Sequence, residues 1–256
     1  DLDHPWDVTP EAAIELALRC DGAAREFDPR VDQTDDVSVG QHRGVRGYAN
    51  TDGFAAAYAG SRHSLSCIVV GKQDGAMQRS YWYSISRDAN ELDQPEPIGM
   101  TAAKRTVAKL GARKVATEKV PVIFEASVAG GLIGHLVNAV SGGSLYRKAS
   151  FLVDSAGKSI FPDSITISEN PHLPRGLGSS PFDAEGAKTS PRNLIDSGVL
   201  TGYVLGSYSA RRLKLTPTGN AGGVHNLIVS HQDLNFEALV RQMGRGLIVT
   251  DLMGFG

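Results

Sequence analysis

Apolar positions change period along this chain, and the changes mark its elements. Ile14, Leu16, Ala17, Leu18 and Cys20 recur at helical spacing. Thr9 followed by Pro10 supplies an N-cap with proline in the first turn, so a helix is predicted from there to about Phe27. "DPRVDQTDD" then reads as a polar loop. From Val37 the pattern alternates with period two. It predicts strands joined by hairpins, with "NTDG" (Asn50 to Gly53) and "KQDG" (Lys72 to Gly75) as the turns and "MQRSYWYSISRD" as the third strand. After the proline-bearing "DQPEP" a helix is expected from about Gly99 to Leu110, closed by Gly111 as a left-handed cap.

"ATEKVPVIFEA" opens a second pattern: a short strand, Val120 to Phe124, and then the helical "GLIGHLVNAVSGG". Short strand-like runs follow: "SFLVD", "SITISE", "GVLTGYVLG", "VHNLIVS" and "GLIVTDLMG". They are punctuated by "DSAG", "DSG" and "GNAGG", and one late helix, "NFEALVRQMG", interrupts them. That density of short strands predicts a curved, barrel-like sheet. The fold class expected is α+β. A helix, antiparallel meander and helix over residues 1–118 would be the C-terminal part of an α/β N-terminal domain. A β-rich, barrel-like and truncated C-terminal domain with a buried helix would occupy residues 119–256.

Composition narrows the class. With 41% hydrophobic residues among 256, the chain has material for a core. Lys+Arg 26 against Asp+Glu 28 gives a net charge of −2, without the basic stripe of a nucleic-acid binder. Cys20 and Cys67 form neither a CxxC pair nor a zinc spacing, which favours a reducing cytoplasm. The most apolar stretch, residues 120–140, is broken by Glu125, His135 and three glycines, so no membrane span is expected. The ends "DLDHPW" and "LMGFG" read as internal sequence, and a fragment is expected.

"GLIGHLVNAVSGG" carries the first candidate chemistry. At 100° per residue, Val128, Ala129, Leu132, Ile133, Leu136, Val137 and Val140 share a broad apolar face. Ser127, Gly131, Gly134, His135, Asn138 and Ser141 share a small polar one, which would let another backbone approach closely. The width of the apolar arc predicts a helix buried on most sides. A zinc peptidase helix needs two imidazoles on one face and a carboxylate to activate water. Here there is one imidazole and no following glutamate. His135 reads either as a hydrogen-bonded residue at a helix–sheet junction or as a substrate contact, not as a metal ligand.

Other constellations are weaker. Ser155 and Lys158 have the spacing of a serine–lysine pair, but Ala156 and Gly157 form a turn that cannot align them. "RGLGSSPFDAEG" has no phosphate-loop pattern. Asp183 and Glu185 within it are either an acid–base pair or caps of backbone amides. In "TPTGNAGGVHN", Gly219, Asn220, Gly222 and Gly223 permit a tight loop that presents backbone N–H groups. His225 and Asn226 then enter a strand, either as part of an elaborate turn or as a rim that binds an extended peptide through its backbone.

These residues bring a family into view. "GLIGHLVNAVSGGSLYRKASFL", "PHLPRGLGSSPFDAEG", "GYVLGSYSARRL", "TPTGNAGGVHN", "HSLSCIVV" and "MQRSYWY" closely resemble the PmbA (TldE) branch of the TldD/PmbA family. Members are longer, so the resemblance implies a missing amino-terminal third and a missing carboxy-terminal glycine-rich segment. It implies a cytosolic bacterial heterodimeric metalloprotease that degrades or matures unfolded or short peptides. The family is also named a modulator of DNA gyrase. In the TldD partner a helix carries His-Glu-x-x-x-His, and a later cysteine completes a zinc site. Laid on this chain, the first histidine falls on Ile133, the glutamate on Gly134 and the second histidine on Asn138; the cysteine would lie beyond Gly256.

The resemblance therefore implies a subunit with no catalytic or metal-binding residue of its own and no cofactor, with zinc carried by a TldD-like partner. His135, Asn138, Arg147, Lys148, His225 and Asn226 are the candidates for lining a peptide cleft, Arg147 and Lys148 as its cationic part. A homodimer is a further possibility, and neither membrane nor direct nucleic-acid contact is expected. The alternative is a gyrase-modulating binding module with no proteolytic role. A hydrolase using a non-metal nucleophile is a third, weaker reading.

Overall fold

A computed structural model describes residues 1–252. The chain divides into two compact units. The first comprises residues 1–47, 55–115 and 174–177; the second comprises 48–54, 116–173 and 178–256.

In the first unit α1 (Pro10–Glu26) begins where expected, with Thr9 Oγ1 accepting from the Ala12 N–H at 3.2 Å. Three strands follow, β1 (Val31–Ala49), β2 (Ala55–Gln73) and β3 (Ala76–Ser86), in the order β1-β2-β3. The strand β1 starts inside the stretch expected to be a loop. Its acidic residues mislead a count of polarity, because β1 is an edge strand whose charges find partners. Asp32 pairs with Lys72 at 2.8 Å and Asp35 with Arg79 at 2.7 Å, while Val31 is buried.

The helix α2 (Pro95–Ala108) begins four residues before the expected Gly99. Its first-turn proline is part of the helix, since the missing N–H would have no intrahelical partner there. Along β2 the odd positions Ser61, His63, Leu65, Cys67 and Val69 are buried. Leu65, Cys67 and Val69 pack with Cys20 and Ala24 of α1 and with Ile98, Ala102 and Ala103 of α2. The result is two layers, helices on one face of a meander.

The second unit pairs β4 (Val122–Phe124) in parallel with β9 (Leu247–Val249). Between them come α3 (Ala126–Ala139), α4 (Gly142–Tyr146), β5 (Ile167–Asn170), β6 (Arg192–Asp196), β7 (Val199–Leu200), α5 (Ser207–Leu213), β8 (Asn226–Val229) and α6 (Phe236–Met243). Strands β7-β6-β5-β8 form one open antiparallel sheet. Its core joins Ile167, Leu194, Ile195 and Leu200 to Leu136, Val140 and Leu145.

The structure departs from two expectations. The described residues hold six α-helices and several small sheets and no closed barrel, because the strands are two to five residues long in this unit and its four-stranded sheet ends at β7 and β8. "SFLVD" is a turn, not a strand. The hydroxyl of Tyr203 accepts from the Ser155 and Ala156 N–H groups at 2.8 and 3.1 Å and donates to Leu152 O at 3.1 Å, which occupies backbone groups a strand would need. The end of the expected "GLIVTDLMG" strand, from Met253, lies outside the described residues. No helix among the described residues is long and apolar enough to cross a membrane.

Candidate functional site

The helix α3 is less enclosed than its apolar arc predicts. Only Leu136 and Ala139 are buried within it, and Leu132 remains 46% exposed. His135 and Asn138 lie on its exposed side. Asn138 Oδ1 accepts from Ser144 Oγ at 3.3 Å, and Ser141 Oγ donates to Asn138 O at 2.9 Å, so the amide fastens the end of α3 to the start of α4. Ser141 caps α4 through the Ser144 N–H.

Arg147 and Lys148 end α4. Both are exposed. Lys148 adopts a left-handed conformation, φ +57°. Its N–H donates to Leu145 O at 2.9 Å and that of Ala149 to Ser144 O at 2.8 Å, the bonding pattern of a Schellman cap with lysine where glycine is usual. The Arg147 guanidinium lies 5.5 Å from the Tyr146 ring centre, and that of Arg212 approaches the same ring at 5.9 Å. Tyr208 stands edge-on to Tyr146 at 5.7 Å.

His225 and Asn226 belong to a different cluster, centred on a residue the sequence reading missed. Glu169 is 2% exposed. Its Oε2 accepts from Arg192 Nε at 2.8 Å. Its Oε1 accepts from Asn220 Nδ2 at 2.7 Å and from the His225 N–H at 2.8 Å, and faces His225 Nδ1 at 2.9 Å. Burial pushes the Glu169 carboxyl up, but hydrogen bonds from His225 and Arg192 and the Arg192 charge outweigh it and hold the group at about 2. With Glu169 ionised, His225 donates from Nδ1. Arg192 Nη1 donates to Tyr203 O at 2.8 Å. Arg192 Nη2 and Asn220 Oδ1 are buried without a hydrogen-bond partner among the described residues. A signal for Glu169 was available: Ile165, Ile167 and Glu169 share one face at period two.

Asn226 accepts from the Gly178 N–H at 2.8 Å and donates from Nδ2 to Asn170 O and Ser179 Oγ, each at 2.7 Å. The loop carboxylates Asp183 and Glu185 cap amides. Asp183 is buried and accepts from the N–H groups of Glu185, Ala187 and Ala221, each at 2.9 Å. Glu185 Oε2 accepts from the Ser207 N–H at 2.8 Å, at the start of α5. No hydrogen bond or ion pair among the described residues links His135, Arg147 or Lys148 to the Glu169 cluster. The six predicted residues are thus distributed over the α3–α4 corner and the β5–β8 edge.

Among the described residues no three His, Cys, Asp or Glu side chains gather so as to hold a metal ion. At the α3 positions where the resemblance would put two zinc-binding histidines and a water-activating glutamate stand an aliphatic chain, Ile133, an amide, Asn138, and a bare backbone, Gly134. That donor set does not fit zinc.

Comparison with known proteins first gives the class. Residues 3–110 match the PmbA/TldA metallopeptidase central domain and residues 117–256 match the PmbA/TldA metallopeptidase C-terminal domain. The chain is therefore built from two successive domains of a metallopeptidase scaffold. It belongs to the PmbA/TldA metallopeptidase family. It is 49% identical to the metalloprotease PmbA of Escherichia coli O157:H7 over 256 residues, which is 100% of this chain and 57% of that protein. A crystal structure of a candidate modulator of DNA gyrase from Bacteroides thetaiotaomicron superposes with a TM-score of 0.91 at 28% identity, covering 96% of this chain and 56% of that one. TldE from Thermococcus kodakarensis shares the fold, with a TM-score of 0.82 at 23% identity over 100% of this chain and 63% of that one. The chain thus spans little more than half the length of these relatives.

Proposed function

We propose that this chain is the part of a TldE-type subunit that shapes the peptide cleft of a heterodimeric metalloprotease, with the zinc supplied by a TldD-like partner. One observation carries the reading: α3 is exposed along the His135–Asn138 side, as a substrate-facing helix would be, yet Ile133, Gly134 and Asn138 offer no zinc-binding set. A water-activating carboxylate is also absent from that helix.

In this reading His135 and Asn138 meet the peptide backbone from α3, and Arg147 and Lys148 attract its carboxylates. His225 and Asn226 contribute the rim at the β5–β8 edge, whose shape the buried Glu169 maintains. The location would be cytoplasmic, consistent with two buried, unpaired thiols.

The test uses the full-length protein that contains this chain. Expected are no stoichiometric zinc and no cleavage of an unstructured peptide by the purified protein alone. Cleavage should appear on mixing with a TldD-like protein and vanish with a chelator. Zinc held one per chain by this polypeptide alone, or turnover without the partner, would refute the proposal. A second reading, a gyrase-modulating module, draws support from the name of the Bacteroides thetaiotaomicron structure. It predicts capture of gyrase without any peptidase activity.

A further inference from the structure

The first unit carries a cavity of about 270 Å³ on the face of the meander that α1 and α2 do not cover. The odd positions of β2 turn toward the helices, so its even positions point the other way. The close approaches of Gly40 to Ser64 and of Gly47 to Ala57 put Gly44 of β1 level with Gly60 of β2. These two glycines make room for charged side chains over the sheet: a Cβ on Gly44 would meet the His42 ring at 3.3 Å and one on Gly60 would meet Arg87 Nη1 at 3.0 Å.

Three guanidiniums and an imidazole line the cavity: Arg46, Arg62, Arg87 and His42. No carboxylate is among its lining residues. Arg87 is anchored there by neutral acceptors only. Its Nε donates to Gly176 O at 2.9 Å, Nη1 to Ser61 O at 3.2 Å and Nη2 to Leu177 O at 3.0 Å. Its head lies over Gly60, where a Cβ would meet Nη1 at 3.0 Å. Burial pushes the Arg87 guanidinium down, and the neighbouring Arg62 charge adds to that.

Elsewhere in the unit, several arginines are neutralised. Arg43, which points to the other face of β1, pairs with Asp3 at 2.7 Å, and Arg19 pairs with Glu96 at 2.7 Å. Arg46 and Arg62 have no such ion pair among the described residues. In a chain whose net charge is −2, three like charges collected round one cavity mark a place for the opposite charge.

We propose that this cavity is a binding site for a carboxylate or phosphate oxyanion, received by Arg46 and Arg62 and oriented by the anchored Arg87. Forked guanidinium donors match both groups, and the volume admits an acidic side chain or a phosphate. The site stands apart from the peptidase reading, because binding is measured on this protein without any partner.

Calorimetric titration of the protein with triglutamate and, separately, with inorganic phosphate tests it. Triglutamate should bind at low ionic strength, weaken as salt rises, and lose about tenfold or more in affinity in the double variant Arg46→Gln/Arg62→Gln. Both arginines are exposed, and a circular dichroism melt verifies that the variant is folded. Arg25→Gln, remote on α1, should bind as the unaltered protein does. Phosphate displacing triglutamate assigns the site to oxyanions in general, and failure to displace it restricts the site to carboxylates; both sustain the proposal. Absence of binding by both probes, or unchanged affinity in the double variant, overturns it.

Discussion

Glu169 and His225, 56 residues apart in the chain, are joined twice: the carboxylate accepts the backbone N–H of His225 at 2.8 Å and faces its Nδ1 at 2.9 Å. The histidine is thereby fixed in tautomer and in place at the start of β8. Arg192 and Asn220 complete the shell of the carboxylate. A buried charge held by so many donors is costly to disturb from one side only.

Glu169→Gln should therefore destabilise the fold at neutral pH by roughly 2–4 kcal/mol, because it leaves Arg192 beside an uncharged group. The loss should be read from urea midpoints. The pH dependence has a definite sign. The folded carboxyl is held at about 2, below the ordinary 4.5, so its contribution is complete above about pH 4.5 and is lost as pH falls toward 2. A depression of that size corresponds to roughly 3 kcal/mol. The variant should show a flatter stability profile between pH 4.5 and 2 than the unaltered protein. Parallel profiles would remove Glu169 from the account of acid sensitivity.

Lys148→Gly should separate two roles at one position. The left-handed conformation of Lys148 costs a residue with a Cβ more than it costs glycine. Thermal stability should rise by an amount corresponding to about 1 kcal/mol. If Lys148 also attracts peptide carboxylates, the same variant should raise the KM of the assembled peptidase while stability improves. A gain in stability with unchanged KM would leave Lys148 a helix cap alone.

Gly99→Ala should loosen the first unit. A Cβ at Gly99 would come within 2.2 Å of Cys20 O and 3.1 Å of Ala24 N, both backbone atoms of α1 that cannot swing aside. The crossing of α1 over α2 must widen, at a cost of roughly 1–3 kcal/mol. Differential scanning calorimetry should show a lowered transition; an unchanged melting temperature would contradict the close approach.

Cys20 and Cys67 should resist a thiol reagent such as DTNB in the native protein and react together on unfolding. Both are fully buried in the α1–α2–sheet core. Their contact, followed by burial, pushes the Cys67 thiol far up, so that thiol has little thiolate to offer. Rapid reaction of either cysteine in native buffer would show that the helices separate readily from the meander.

Local chemistry made the helices and hairpins of residues 10–110 readable from their residues. Thr9–Pro10 starts a helix by supplying a side-chain acceptor and a preset φ, and "NTDG" and "KQDG" turn the chain between alternating strands. Each signal lies within four residues of its effect. Only the first six residues of the edge strand β1, Val31 to Asp36, escaped, because Asp32 and Asp35 find Lys72 and Arg79 only after the sheet has formed. In the second unit the sequence shows apolar runs but not which of them pair, so it predicts a barrel-like sheet where the sheet is open, in the order β7-β6-β5-β8. The width of an apolar arc likewise could not say how many neighbours α3 would meet. The Glu169 cluster is the clearest case: its donors come from 23, 51 and 56 residues away. Strand order brings them to one carboxylate, and burial then requires every one of them.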